Sequence, residues 1–328
     1  MGSSQSAAEK FVPRRHLRGG HVQTLASFFL PRRIALPPGE ERRVEVEPGV
    51  PILCHCHWQP DRQNALTVIV IHGLEGSSDS QYMRGMVVKG TAAGMNVVRM
   101  NQRNCGGPGS ISPTLYHSGR SQDIAAVAQN LIKQDRISRL ALAGFSMGGN
   151  LVLKLAGEWG REGPPQFRAV AAVCPAMDLA ASADALHLRS NLLYEYYFVW
   201  KLRRRLVAHA RLFPGRFDTS RLRGVTSLRD FDDKITAYYS GFEGAVDYYA
   251  RAAAANVVDH IAVPGFILHA ANDPFIRILP ETRRKILANP NLAFVETDDG
   301  GHCSFIADPG GDDGHWAERQ VVTFLRAF

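Results

Sequence analysis

At 328 residues, with 45% apolar and 21% charged residues, the chain has the composition of an ordinary globular protein long enough to bury a full core. No apolar run approaches the ~18–20 residues of a membrane span, and the polar stretch Met1 to Lys10 lacks the apolar centre of a secretory signal. The formal net charge of +7 gathers in Pro31-Arg32-Arg33, Glu41-Arg42-Arg43 and Lys201-Leu202-Arg203-Arg204-Arg205 with no nucleic-acid motif beside them. That leaves solvated surface or, over Lys201 to Arg211, a transient contact with anionic lipid headgroups.

The five cysteines are an odd, scattered set, which argues against a disulfide framework and for a reducing cytoplasm. Met1-Gly2-Ser3-Ser4-Gln5-Ser6 fits the loose N-myristoylation pattern, although an expression remnant or a plain polar tail is the preferred account. Residues 1–40 are expected to form an N-terminal arm. In it Gly19-Gly20-His21 breaks the chain, and Val22 to Leu30 makes a short helix whose Phe28-Phe29-Leu30 docks on the rest of the protein. Alternation over Arg42 to Trp58 predicts a β-hairpin turning at Pro48-Gly49. Its Cys54-His55-Cys56-His57 looks like a ligand cluster, but neighbouring strand residues face opposite ways, so the four cannot converge on one ion. No metal or cofactor is expected.

Ala65 to Leu74 is a continuous apolar run, expected as a central strand covered on both faces. It ends in His72-Gly73-Leu74-Glu75-Gly76-Ser77-Ser78. There Gly73 and Gly76 let the loop close over the sheet edge, His72 supports the loop, and Leu74 offers a backbone amide to a developing oxyanion. A helix over Gln81 to Ala93 and a strand over Met95 to Met100 follow. The polar loop Asn101 to Gly107 then lies at the same carboxyl edge, where open α/β sheets gather ligands. Ser121 and Asp123 are expected to cap a helix over Ile124 to Lys133.

Leu140 to Asn150 reads as strand, tight turn and helix, with Gly144-Phe145-Ser146-Met147-Gly148 at the turn. Such a turn holds the serine in a strained conformation with its hydroxyl over the sheet edge, and the amide of Met147 becomes a second oxyanion donor. After a strand over Phe167 to Cys174, sheet-like alternation stops. Residues 179–255 are expected to be a helical cap insertion, rich in aromatics and arginine, that covers the serine and supplies an acyl pocket. Strands over Gly265 to Ala271 and Asn291 to Thr297 lead into Asn272-Asp273-Pro274-Phe275 and Asp298-Asp299-Gly300-Gly301-His302, and Trp316 to Phe328 closes the chain as a helix. The expected fold is α/β, a mostly parallel doubly wound sheet with an N-terminal antiparallel hairpin, built from residues 41–178 and 256–328.

Serine is a poor nucleophile until a base removes its proton, and a carboxylate must hold that base in the right tautomer. Asp273 and His302 each follow a strand, which puts them at the same edge as Ser146. Asp178, after the strand ending at Cys174, is the rival acid. Cys303 is expected as a pocket wall.

Several segments together resemble the AB-hydrolase type 4 family, the YheT-like branch of alpha/beta-hydrolases. They are Gly20-His21-Val22-Gln23-Thr24, the His72 to Ser78 loop, Asn101 to Gly107, Tyr116-His117-Ser118-Gly119, Gly144 to Asn150, Asn272 to Phe275 and Gly301-His302. The resemblance runs from about Gly20 to the C-terminus and implies that Ser146, Asp273 and His302 match the family's triad. The family includes bacterial carboxylesterases, eukaryotic hydrolases of acylglycerols and phospholipids, and yeast enzymes acting on medium-chain ethyl esters. Where the family pattern has Gly-Gly-His-x-Gly-Phe, this chain has Ser304, which narrows the space beside the histidine. The expected activity is hydrolysis of small short- to medium-chain acyl esters through an acyl-enzyme. Alcohol acyl transfer or an acylglycerol/phospholipid lipase stands as the enzymatic alternative, and a lipid-binding module in a hydrolase shell as the non-enzymatic one. Nothing in the sequence speaks to oligomeric state.

Overall fold

A computed structural model describes residues 10–107, 111–310 and 312–328. The myristoylation pattern at residues 1–6 lies outside them. The elements run α1 (Gly20–Phe29), β1 (Glu40–Glu47), β2 (Val50–His57), β3 (Thr67–Ile71), α2 (Gln81–Ala92), β4 (Asn96–Met100), α3 (Ser121–Gln134), β5 (Leu140–Phe145), α4 (Met147–Trp159) and β6 (Phe167–Val173). Between β6 and β7 (Gly265–Ala270) come α5 (Leu179–Leu186), α6 (Leu192–Leu212), α7 (Leu228–Phe231), α8 (Tyr238–Ser240) and α9 (Ala245–Ala252). The chain ends with α10 (Pro280–Ala288), β8 (Leu292–Thr297) and α11 (Trp316–Leu325).

One eight-stranded sheet has the order β1-β2-β4-β3-β5-β6-β7-β8. The hairpin β1–β2 joins β4 antiparallel, and every pairing from β4 to β8 is parallel. The fully apolar β3 and β5 sit centrally and are buried on both faces, as continuous apolar runs require. Alternation divides their side chains between two cores. Ile69, Ile71 and Leu142 pack with α3, α4 and the inserted helices, while Val68, Val70, Ala141 and Ala143 pack with α2 and α11. Part of the insertion has its own cluster, with Val199, Leu202 and Leu206 of α6 against Phe217, Phe231 and Ile235.

Because β3, β5, β7 and β8 are parallel, the turns carrying His72, Ser146, Asp273 and His302 all emerge at one edge. The helix α4 that follows Ser146 is buried almost throughout, so the turn is anchored on both sides.

Three local expectations need correction. The break expected at Gly19-Gly20-His21 falls at Gly19, with φ 95°, but α1 starts at Gly20, two residues before the expected Val22, and Gly20 is needed because a Cβ there would meet the Asn272 carbonyl oxygen at 1.9 Å. Ser121 and Asp123 do not cap α3, whose N-cap is Arg120 with no side-chain bond. Instead the Ser121 hydroxyl donates to Glu158, and Asp123 accepts from the fully buried Arg103 through Nε (2.7 Å) and Nη2 (2.5 Å). A paired buried charge outweighed the cap. Third, of Phe28-Phe29-Leu30 Phe28 packs on Tyr197 of α6, while Phe29 is 71% exposed and Leu30 is exposed too, so the end of α1 docks only in part.

Candidate active site

Ser146 has φ 56° and ψ −121°, a conformation costly for any residue with a Cβ. Its neighbours permit it. A Cβ at Gly144 would lie 2.2 Å from the Gly148 carbonyl oxygen, and one at Gly148 would lie 2.3 Å from that of Ile71. The Ser146 hydroxyl donates to His302 Nε2 at 2.9 Å, and His302 Nδ1–H donates to Asp273 Oδ2 at 2.8 Å. Asp273 is buried, and its other oxygen accepts from the amides of Phe275 (3.1 Å) and Ile276 (2.9 Å). The carboxylate is thus aimed at the ring and fixes its tautomer.

Burial pushes the Asp273 carboxyl up, but the charge and hydrogen bond of His302 prevail and hold it below the usual carboxylate range. For the His302 ring, burial disfavours charge, and the Cys303 sulfur and Asp273 together overcome it, holding the imidazole above its usual value. Burial raises the Cys303 thiol, whereas its hydrogen bond to Cys174 and the ring beside it bring it down to about 6. His72 and His117 are different: burial drives them down to about 4 and about 3, so both are neutral at physiological pH.

The loop after β3 lies directly against the serine, since a Cβ on Gly73 would fall 3.0 Å from the Ser146 Cβ and 3.5 Å from its hydroxyl. His72 braces this loop from inside. It is buried, its Nδ1–H donates to the Gly73 carbonyl (2.8 Å), and its Nε2 accepts from the Gln102 amide (3.1 Å). Gly76 is equally confined, with a Cβ there meeting Ser80, Gly73 and His72 at 3.1–3.2 Å. Leu74 and Met147 line a cavity of about 40 Å³ between core and insertion, walled also by Leu115, Leu202, Leu206 and Phe231.

Asp178 is not brought to the histidine. Its carboxylate accepts from the Leu279 amide (2.9 Å) and the Thr282 hydroxyl (2.8 Å), where it orders the start of α10. The Ser304 hydroxyl donates to Ser27 of α1 at 2.9 Å and lies 3.1 Å from the His302 carbonyl oxygen, which ties the histidine's turn to the arm.

Two supports had no role in the sequence reading. The amide of His302 donates to Thr24 Oγ1 of α1 (2.8 Å), and Gln23 clamps both backbone groups of Ile306. The signal was present in Gly20-His21-Val22-Gln23-Thr24, but nothing local said which distant turn it would hold. The second support reverses an expectation. Within Lys201 to Arg205, expected as surface, Arg205 turns inward to grip Glu75 with Nε and Nη2 (2.8 and 3.0 Å). Lys201 donates to the Glu75 carbonyl (2.8 Å), and Tyr116 donates to Glu75 Oε1 (2.7 Å). Glu75 has φ 56°, so α6 holds a strained residue next to Leu74. Arg204 alone of that run is exposed, lying over the Trp200 ring at 4.6 Å.

The chain is similar to known proteins. The alpha/beta hydrolase fold family is matched over residues 67–309. The chain belongs to that family. It is 27% identical over 329 residues to the putative esterase YheT of Escherichia coli, covering 98% of this chain and 95% of that one, which agrees with the YheT-like resemblance. It is 28% identical to phospholipase ABHD3 of Mus musculus over 82% of this chain and 63% of that protein. To the monoacylglycerol lipase of Saccharomyces cerevisiae it is 26% identical over 80% of this chain and 59% of that protein. The chain therefore spans about three fifths of those two relatives. Among solved structures, the Pyrococcus furiosus esterase Pf2001 superposes with a TM-score of 0.57 at 17% identity over 90% of this chain and 96% of that one, a likeness of fold.

Arg205→Ala would leave the buried Glu75 carboxylate with the Tyr116 hydroxyl but without its ion pair. It is expected to cost about 3–5 kcal/mol, read as a lower urea midpoint, while Arg205→Lys should retain part of the loss.

Proposed function

We propose that the protein is a serine carboxylic-ester hydrolase in which Ser146 is the nucleophile, His302 the base and Asp273 the acid that orients it. The observation that carries this is the continuous relay from the Asp273 carboxylate through His302 to the Ser146 hydroxyl, with both hydrogen bonds under 3.0 Å. Ser146 Oγ attacks the ester carbonyl carbon as its proton passes to His302 Nε2. The amides of Leu74 and Met147 take the oxyanion, at the N-terminus of α4 where the helix dipole favours negative charge. The intermediate collapses, and the alcohol leaves with the proton from His302. Water, deprotonated by the same ring, then frees the acid.

The substrates we assign are acyl esters at the short end of the short- to medium-chain range. The cavity beyond Leu74 and Met147, about 40 Å³, holds a few water-sized groups and no long chain. The inserted helices act as the cap that supplies this wall. The relatives named for phospholipid and acylglycerol hydrolysis support a lipid ester as the class, and so does the surface around the site.

Phe28 of α1 meets Tyr197 of α6 (ring centroids 5.5 Å), which joins two exposed apolar stripes, Leu25, Phe29 and Leu30 with Leu192, Leu193 and Tyr196. Leu193 is 85% exposed and Tyr196 72%. The same helix leads inward through Tyr194 to Phe275 (5.3 Å) and from there to His302 (4.4 Å). No described helix is long and apolar enough to cross a membrane. We infer peripheral docking on anionic lipid through this apolar rim and the exposed Arg33, Arg189 and Arg204, in place of Lys201 to Arg211.

Ser146→Ala should lower kcat on nitrophenyl butyrate by about a million-fold with folding intact, and a fluorophosphonate should label Ser146 alone. Asp273→Asn should cost far more than Asp178→Asn, and the reverse ranking would reassign the acid. Because His302 works as base only when neutral and its pKa is raised, kcat/KM should fall with decreasing pH through a midpoint above the ordinary ~6.5. Cys303→Ser should move that midpoint down; a wild-type midpoint at or below the ordinary value would contradict the account. The double variant Phe29→Asp/Leu193→Asp should weaken binding to phosphatidylglycerol vesicles at least ~10-fold while soluble ester turnover holds.

A further inference from the structure

Two thiols lie beside the histidine, and neither exchanges a bond or a proton with substrate in the proposed ester cleavage. Cys174 follows β6 and is fully buried, and Cys303 follows His302 and is partly exposed. Both have positive φ, 43° and 58°, so two tight turns bring them together at the sheet edge. The Cys303 amide donates to Cys174 Sγ (3.4 Å), and Cys303 Sγ lies 3.9 Å from His302 Nε2. The two sulfurs and a ring nitrogen of His302 all lie within 4.8 Å of one another.

We propose that Cys174, Cys303 and His302 form a binding site for Zn²⁺ whose occupation silences the serine. Zn–S bonds of ~2.3 Å and Zn–N bonds of ~2.0–2.1 Å imply tetrahedral donors about 3.3–3.8 Å apart, so closing the site needs shifts of about 1 Å or less. Two thiolates with an imidazole select zinc and similar soft ions over Mg²⁺ and Ca²⁺. The outer support is already built, since metal-bound histidines donate their second ring N–H to a carboxylate, as His302 Nδ1–H does to Asp273. Ser146 Oγ, 2.9 Å from Nε2, or a water supplies the fourth donor.

The step is substitution without redox change. Two Zn–S bonds and one Zn–N bond form, and the protons held by the Cys174 thiol and by the Cys303–His302 pair pass to solvent, leaving two thiolates and a neutral ring on the ion. Nε2 has one lone pair in this tautomer, and the ion takes it. The Ser146 hydroxyl then has no base. The inhibition rests on the proposed hydrolase chemistry; the binding does not.

The test is titration of the reduced, metal-free full chain with Co²⁺, followed by absorption. A thiolate-to-cobalt charge-transfer band should saturate at one ion per chain and be abolished by Zn²⁺. Turnover of nitrophenyl butyrate should fall in step with occupancy and return with EDTA, and equal Mg²⁺ should leave it unchanged. Cys303→Ser and Cys174→Ser should each weaken Co²⁺ binding at least ~10-fold. Cys303→Ser, at the exposed side, carries the test if the buried variant does not fold, with near-UV circular dichroism reporting its folding.

Absence of the band, or an unchanged band in folded Cys303→Ser, overturns the proposal. Zinc inhibition with the same midpoint in both cysteine variants would assign it to the histidine alone and overturn the thiol site. A thiolate band in a chain that cleaves no ester would keep the site and remove the hydrolase assignment.

Discussion

The constraint on which the rest depends is the left-handed backbone of Ser146. A residue with a Cβ is held at φ 56° only if the surrounding structure over-determines it. Here that work is divided between close glycine contacts at Gly144 and Gly148 and the burial of α4 along nearly its whole length. The result is a hydroxyl fixed at the sheet edge beside the N-terminus of a helix. Every other part of the site is positioned with respect to it.

Most of the fold could be read from pattern because the strands obey simple rules. Continuous apolar runs at β3 and β5 became doubly covered central strands, and alternation at β1 and β2 became the edge hairpin. Gly-x-Ser-x-Gly between a strand and a helix located the serine for the same reason: the strain demands glycines at fixed offsets. Asp273 and His302 were legible through their position after strands, since parallel strands share an edge. What escaped the sequence were the interactions whose two ends are far apart. Nothing near Asp123 reveals that a buried arginine from the loop after β4 will claim it, and nothing near Asp178 reveals that α10 will take its carboxylate. Charge runs mislead in the same way. Arg205 and Arg204 are neighbours in sequence, yet one is bound to Glu75 and the other stacks on Trp200 at the surface.

The insertion and the arm differ in how they serve the site. The insertion grips the Glu75 loop through Arg205 and Lys201, so its packing and the geometry beside Leu74 are one problem. The arm holds the turn of His302 and Ser304, through Thr24 and Ser27, and leaves its own apolar end exposed beside Tyr197. Core, insertion and arm thus contribute the hydroxyl, the neighbouring loop and the seat of the imidazole in turn.

The bond from Thr24 to the amide of His302 spans 278 positions of chain, and that from Ile306 to Gln23 spans 283. Contacts of such separation form late, because loop closure must be achieved before they contribute. During synthesis α1 emerges before the other described helices and strands and must wait for the turn after β8 before its partner emerges. The imidazole is therefore seated among the last events of folding, and a truncated or stalled nascent chain carries Ser146 without the His302 ring beside it.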